Sequence, residues 1–127
     1  MKKAIFIDVK NQSISECTLG DHYTEISRKI GNGCELFCCP FEFNNGDTIF
    51  ADEESLCRYD DIVGGFKYSS WSYPIIGNAV ILGINEDGES TGVKSTIQEI
   101  SQGIVWLSET EAKKYSMNPP ETLILTF

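Results

Sequence analysis

The chain has 127 residues, of which 41% are hydrophobic and 23% are charged, and its formal net charge at pH 7 is −9. A chain of this length buries roughly two thirds of its unfolded surface on folding, so we expect a single domain over residues 1–127 that needs neither a disulfide nor a metal. The acidic balance argues against general binding to nucleic-acid backbones, because that affinity comes from Lys and Arg neutralising phosphates.

The cellular compartment is predicted from the apolar runs and the cysteines. The run at residues 4–7 ends at Asp8, short of a signal-peptide core of ~7–15 residues, and no run approaches the ~20 residues of a membrane span. The five cysteines are odd in number, which favours reduced thiols. We therefore expect a cytoplasmic protein that does not bind a membrane.

The first third of the chain predicts two strands and a helix. Residues 4–9 alternate in polarity, and a second strand over residues 12–18 follows a short turn. Asp21 is the predicted N-cap of a helix over residues 22–30, and Gly31 ends that helix. The helical spacing of its apolar residues predicts a buried stripe formed by Tyr23, Ile26 and Ile30.

A hairpin is predicted next. Residues 34–43 and 48–51 are apolar and aromatic, and they flank an Asn-Asn-Gly-Asp turn, which is a strong hairpin signal. Pro40 cannot donate a backbone hydrogen bond, so we expect the first strand to be irregular or to lie at a sheet edge.

Residues 52–73 show no clear pattern of a helix or a strand. Their first half is acidic and loop-like, and their second half is rich in Gly, Ser and aromatic residues. Residues 75–84 are nearly continuously apolar, which predicts one strand covered on both faces. A polar turn at residues 85–88 follows that strand.

The last part of the chain predicts two short helices and two strands. Ser95 and Ser108 each precede Gln or Glu by three residues, the spacing of a capping box. They predict helices over residues 96–102 and from 109 to about 115. Strands are expected at residues 104–107 and 122–126. The fold class that results is α+β, a mostly antiparallel sheet with two or three short helices packed on it.

The sequence provides little for catalysis. His22 is the only histidine, and it lies at the start of a predicted helix with no nucleophile motif, P-loop or zinc-protease motif in the chain. We therefore assign no catalytic residue.

The cysteines and the acidic turn are the candidates for a metal. Cys34, Cys38 and Cys39 lack the C-x-x-C spacing of zinc sites, and in a strand Cys39 would point away from the other two. We predict small buried hydrophobic side chains instead. Asn85 and Gly88 do not fit the register of a calcium loop. We expect no metal and no cofactor.

Residues 42–61 hold seven acidic residues against one arginine, a net charge of −6. We interpret this stretch as a solvated face that favours solubility. The alternative is a patch that mimics nucleic acid or docks on a basic partner.

Aromatic residues are concentrated in residues 59–73, with basic residues beside them. Such side chains stack on bases, sugars or peptide groups and are enriched at protein interfaces. Phe66 and Tyr68, which are two residues apart, would share one face of a strand. The alternative is that the aromatic rings cover the core under a long loop. The predicted binding residues are Arg58, Tyr59, Phe66, Lys67, Tyr68, Trp71 and Tyr73.

Five segments carry a resemblance to a known group of proteins. They are the opening strand to residue 9, Gly-Cys-Glu-Leu-Phe at 33–37, the segment 48–55, Gly-Asn-Ala-Val-Ile-Leu-Gly at 77–83, and the acidic turn at 85–89. In these features the chain resembles a family of small uncharacterised domains from phages, plasmids and bacterial genomes. The resemblance implies an accessory protein of a mobile element, and it brings no catalytic residues.

We rank three hypotheses for function. The first is a non-enzymatic domain that binds a macromolecule, namely a protein partner, and an exposed strand edge would also permit a homodimer. The second is a binding module for a small, nucleotide-like ligand that stacks on the aromatic rings. The third is an enzyme that uses carboxylates or a metal.

Overall fold

The computed structural model describes residues 2–20, 22–31, 33–69 and 73–116. The strands are β1 (Lys2–Asp8), β2 (Ser13–Leu19), β3 (Phe37–Glu42), β4 (Asp47–Asp52), β5 (Gly65–Tyr68), β6 (Ile75–Ile76), β7 (Ala79–Ile84), β8 (Ser90–Thr91) and β9 (Ile104–Leu107). The helices are α1 (Thr24–Ile30), α2 (Ile97–Gly103) and α3 (Glu109–Lys113), and short 3₁₀ turns lie at Ser55–Cys57 and Tyr59–Asp61. The predicted strand at 122–126 lies outside the described residues.

The strands form two antiparallel sheets. The larger sheet has the order β2-β1-β7-β4-β3, with β8 paired to β7, and the smaller sheet has the order β6-β5-β9. All of these pairings are antiparallel. The fold is therefore α+β with a mostly antiparallel sheet and three short helices, as the sequence predicts. None of the described helices is long and apolar enough to cross a membrane.

The larger sheet is covered on both faces. One face packs against the smaller sheet and α2 through a cluster that includes Ile5, Ile7, Ile49, Phe66, Ile81 and Ile100. The other face packs against α1 through Ala4, Leu19, Ile26, Ile30, Phe50, Val80 and Leu82. A third cluster joins the smaller sheet to α3 through Ile62, Ile76, Leu107 and Ala112. Burial of these apolar side chains is the main stabilising contribution, at ~25 cal/mol per Å².

The prediction of one strand over residues 75–84 is wrong. The run is divided into β6 in the smaller sheet and β7 in the larger sheet. Gly77 lies between them with φ of 92°, a conformation that favours glycine. The side chain of Asn78 accepts from the Val9 N–H at 3.0 Å and donates to the Ile30 carbonyl at 3.1 Å. The break therefore moves the chain between sheets while the backbone groups beside it stay hydrogen-bonded.

The predicted hairpin is confirmed. β3 and β4 pair around the turn, where the Phe43 N–H donates to the Asp47 carbonyl at 2.7 Å. The register shifts between Cys38 and Phe41, on either side of Pro40. β3 is also the terminal strand of the larger sheet. The expected irregular edge strand is present.

The first helix differs from its prediction at the N-terminus. It begins at Thr24, and the predicted cap Asp21 lies outside the residues that the structure describes. Ile26 and Ile30 are buried as expected, but Tyr23 is 65% exposed. Tyr23 lies before the first helical turn, so the helical spacing does not apply to it.

One of the two predicted capping boxes is shifted by a residue. The box that opens α2 joins Thr96 to Glu99, not Ser95 to Gln98. The N–H of Ser95 instead donates to the buried carboxylate of Asp47 at 2.7 Å, which holds Ser95 outside the helix. The box of Ser108 that opens α3 is confirmed.

Candidate functional site

Among the residues that the structure describes, the predicted aromatic residues do not lie together on one surface. Phe66 is fully buried between the two sheets, so its assignment to a binding surface is wrong. Tyr68 packs against the same core cluster, which confirms that these two residues share a strand face. The ring centroid of Tyr68 lies 5.6 Å from that of Phe41 and 5.0 Å from that of Phe43. Burial, with the nearby Glu99, raises the pKa of the Tyr68 phenol. Tyr68 therefore joins β5 to β3.

Of the remaining predicted binding residues, Tyr59 and Lys67 both lie beside α3. The Tyr59 ring lies 4.8 Å from Nζ of Lys113 on α3. Lys67 lies near Glu111, whose pKa is lowered chiefly by the hydrogen bond from the Ser108 N–H and to a lesser degree by Lys67. Tyr73 is exposed, before β6. Trp71 lies outside the described residues.

Arg58 lines a small cleft rather than an open binding face. Its guanidinium group forms an ion pair with the buried carboxylate of Asp52, and Nε lies 3.7 Å from Oδ2 of Asp61. The cleft has room for about 20 Å³, little more than one water molecule needs, and Gly77 and Asn78 form part of its wall. Small-ligand pockets span ~300–1,000 Å³. Two carboxylates against one guanidinium also give poor complementarity to a phosphate.

The acidic stretch at residues 42–61 is only partly a solvated face. Asp47 is 0% exposed, and its carboxylate accepts from the Lys94 and Ser95 N–H groups at 3.0 and 2.7 Å. Asp52 is buried against Arg58. These two carboxylates fix loops to β4, so the interpretation of the whole stretch as solvent-facing is wrong for them. Glu42, Glu53, Glu54, Asp60 and Asp61 are exposed.

The cysteines do not all have the buried role that the sequence predicts. Cys39 and Cys57 are exposed, while Cys17, Cys34 and Cys38 are half-buried. Cys34 precedes β3, so the strand alternation that was expected to place it with Cys38 does not apply. All five thiols are free. Over the part of the chain that the structure describes, no three His, Cys, Asp or Glu side chains form a metal-binding group.

The other polar candidates have local structural roles. In the predicted turn, Oδ1 of Asn85 accepts from the N–H groups of Asp87 and Glu89, each at 3.0 Å, which confirms a polar turn. His22 is exposed, and its Nδ1 lies 2.7 Å from Oγ1 of Thr24.

The strongest candidate site is an edge of the larger sheet. The two edges differ in how well they are protected against pairing with another strand. β3 carries Pro40, a register shift and the charged residue Glu42, features that prevent another strand from pairing. β2 is regular, with all seven residues in register with β1. It contains no proline and one charged residue, Glu16. Among the described strands, none pairs with its outer side.

The hydrogen bonds of β1 show which groups of β2 face outward. The Lys3 carbonyl accepts from Val93, and the Val9 N–H donates to Asn78, so odd-numbered residues of β1 point away from β2. Even-numbered residues of β1 therefore bond to their partners on β2, which are odd-numbered. It follows that the N–H and C=O groups of Ile14, Glu16 and Thr18 point outward from the sheet.

Basic side chains flank this edge in an otherwise acidic protein. On the sheet face that carries α1, Nζ of Lys29 lies 4.5 Å from the ring centroid of Phe6, whose partner on β2 is Ser15. Arg28 and Lys29 line a shallow depression of about 220 Å³ together with Leu19 and Glu25. Within the described parts of the chain, Arg28 and Lys29 form no ion pair.

The opposite sheet face is close to neutral along the edge. Nζ of Lys3 lies 3.3 Å from Oε1 of Glu16. These residues line a second shallow depression of about 480 Å³ with Cys17 and Thr18. Burial raises the pKa of the Cys17 thiol, and the nearby Lys29 partly opposes that rise. Cys17 is therefore a neutral thiol, and its side chain packs in the cluster on the α1 face.

Sequence reasoning missed this site, although it predicts both β2 and α1. The edge position of β2 depends on the order of strands from distant parts of the chain. The unbroken Ser13–Leu19 segment, free of proline, is the only local signal.

Comparison with family models, with curated proteins and with solved structures finds no match. The resemblance to small domains of phages and plasmids stays a prediction, and the β2 edge is the feature of the molecule that indicates a function.

Proposed function

We propose that this protein is a non-enzymatic binding domain that holds an extended segment of a protein partner by strand addition to β2. The observation that carries the proposal is the contrast between the two edges of the larger sheet, since β3 is protected and β2, among the described strands, is not. An accessory role in a mobile element agrees with this proposal.

The outward groups of β2 supply the affinity. Ile14, Glu16 and Thr18 offer three N–H donors and three carbonyl acceptors in alternation, the pattern used by domains that bind peptides at a sheet edge. Each backbone hydrogen bond contributes a net ~0.5–1.5 kcal/mol. The depressions on the two faces would take the alternate side chains of the added strand and supply specificity.

The partner is a different chain rather than a second copy. Antiparallel pairing of two β2 strands about a two-fold axis normal to the sheet would bring the basic α1 faces of both copies to the same side. It would place Arg28 and Lys29 of one copy near those of the other, and like charges across an interface disfavour association.

A proline substitution tests strand addition. Peptides of roughly ten residues, the upper length of an ordinary strand, are selected from a random display library on the wild-type protein. Thr18→Pro removes an outward N–H without breaking a β1–β2 hydrogen bond, and proline is tolerated at sheet edges. The matched control Thr18→Ala keeps the N–H.

We expect Thr18→Pro to keep the wild-type circular dichroism spectrum. It should weaken binding of the selected peptides at least ~10-fold, because one hydrogen bond is lost and its neighbours are disturbed. Thr18→Ala should bind the peptides normally. Glu16→Pro with its control Glu16→Ala repeats the test should Thr18→Pro unfold. Selected peptides that bind the folded proline variants as well as the wild type would contradict strand addition, as would a library that yields no binder.

A further inference from the structure

We propose that the segment that pairs with β2 is acidic at every second residue, with its carboxylates on the face that carries α1. This inference rests on the proposed function and specifies the chemistry of the partner at the same site. It follows from the different charges that the two sheet faces present along one edge.

The α1 face favours carboxylates. Ser15, Cys17 and Leu19 point toward this face, because they lie opposite Phe6, Ala4 and Lys2 in the register and the Ala4, Cys17 and Leu19 side chains pack in the α1 cluster. Side chains of an added strand opposite these three residues would enter the depression lined by Arg28 and Lys29. The two cations exceed the single carboxylate of Glu25 there.

Lys29 is already positioned for such a contact. Its ammonium group is held over the Phe6 ring, and Phe6 lies on β1, next to the edge strand β2. Its side chain therefore loses less rotamer freedom on pairing with a carboxylate than a freely mobile lysine would. Arg28 lies one residue before Lys29 and is exposed, and its planar guanidinium group is suited to two-point contact with a carboxylate.

The opposite face disfavours carboxylates. Glu16 lies there with Lys3 as its ion-pair partner, so the local charge is close to zero. A carboxylate placed directly across from Glu16 on a neighbouring strand would meet a like charge, which is destabilising. Because side chains alternate between faces with a period of two, acidic residues are favoured at every second position and disfavoured between them.

Two synthetic peptides of identical composition test the pattern. One places Glu at every second position with Thr and Val between, and the other gathers the same Glu residues in one block. We expect the alternating peptide to bind the wild-type protein at least ~10-fold more tightly, the combined effect of two to three partly exposed charge pairs. Its affinity should fall as salt rises, because exposed ion pairs are screened.

Substitutions on α1 assign the preference to its cations. The double variant Arg28→Gln with Lys29→Met keeps most of the side-chain length and should remove both the preference and the salt dependence. Lys114→Gln, which removes a cation at the C-cap of α3 on the smaller sheet, should leave both unchanged. Arg28→Glu should prefer a peptide in which one Glu is replaced by Lys, a reversal that general loss of stability would not produce.

The outcomes separate this inference from the function on which it rests. Library peptides that lose binding in Thr18→Pro but show no alternating acidic residues would overturn the charge pattern and keep strand addition. Peptides insensitive to Thr18→Pro would overturn both. A DNA oligonucleotide that binds with the same dependence on Arg28 and Lys29, and is insensitive to Thr18→Pro, would show that the basic face recognises phosphates instead.

Discussion

The ammonium group of Lys29 lies 4.5 Å from the centre of the Phe6 ring, so the last turn of α1 contacts strand β1, next to the edge strand β2. This contact links the fold to the proposed binding surface, since the residue that packs α1 on the sheet also supplies a positive charge beside β2. The charge and the packing can be separated by substitution.

Lys29→Met should reduce the free energy of unfolding by no more than ~1 kcal/mol, because methionine keeps the apolar contact with Phe6 and loses only the cation–π attraction. Urea denaturation of Lys29→Met, of Phe6→Leu and of the double variant measures the coupling energy between the two residues. A coupling energy of zero would show that the contact between the ammonium group and the Phe6 ring contributes nothing to stability.

Asp47→Ala should reduce the free energy of unfolding by ~3 kcal/mol or more. The substitution leaves the Lys94 and Ser95 N–H groups without their acceptor, and hydrogen bonds to charged groups contribute ~1.5–3 kcal/mol each. Asp60→Ala, at an exposed residue of the same acidic stretch, is the control and should change stability by less than ~0.5 kcal/mol. Equal effects of the two variants would mean that Asp47 does not fix the loop.

Arg58→Ala should reduce the free energy of unfolding by ~2 kcal/mol, less than the ~3–5 kcal/mol of a fully buried pair, because the Arg58 side chain is 26% exposed. A double-mutant cycle with Asp52→Asn should show coupling between the two residues. Arg28→Ala is the matched control on the surface. Loss of peptide binding in Arg58→Ala, with the fold intact, would restore Arg58 as a binding residue.

The capping box of α3 should weaken in acid. The Ser108 N–H donates to the Glu111 carboxylate, and this bond holds the pKa of Glu111 below its ordinary value of 4.5. A carboxyl with a lowered pKa in the folded state stabilises the protein above its unfolded pKa, and that contribution is lost as the pH falls through the folded pKa. An NMR titration should therefore give Glu111 a midpoint below 4.5. A midpoint at or above that value would mean that the box does not form in solution.

Local sequence signals predict much of the fold. The turn around Gly46, the irregular strand at Pro40 and the capping box of Ser108 all depend on a few neighbouring residues, and the structure has all three. Non-local features are not predicted. The break at Gly77 is hidden in an apolar run because both strands that it separates are buried.

The candidate site depends on the same non-local features. The burial of Phe66 and Asp47 depends on which sheet covers them. The acidic or aromatic neighbours of these residues in the sequence do not indicate whether they are buried. The position of β2 at the edge of the described strands results from the strand order of the larger sheet. Only the absence of proline and the low charge of Ser13–Leu19 are visible in the sequence.

Amide hydrogen exchange along β2, followed by NMR in the free protein and with the alternating acidic peptide, tests the central claim most directly. In the free protein, the N–H groups of Ser15 and Cys17 should exchange slowly because they bond to β1, and those of Glu16 and Thr18 should exchange fast. Binding of the peptide should slow the exchange of the Glu16 and Thr18 N–H groups selectively. Slow exchange of Glu16 and Thr18 in the free protein would show that the edge is already occupied, by another part of the chain or a second copy. Fast exchange that the peptide does not change would show that no strand is added there.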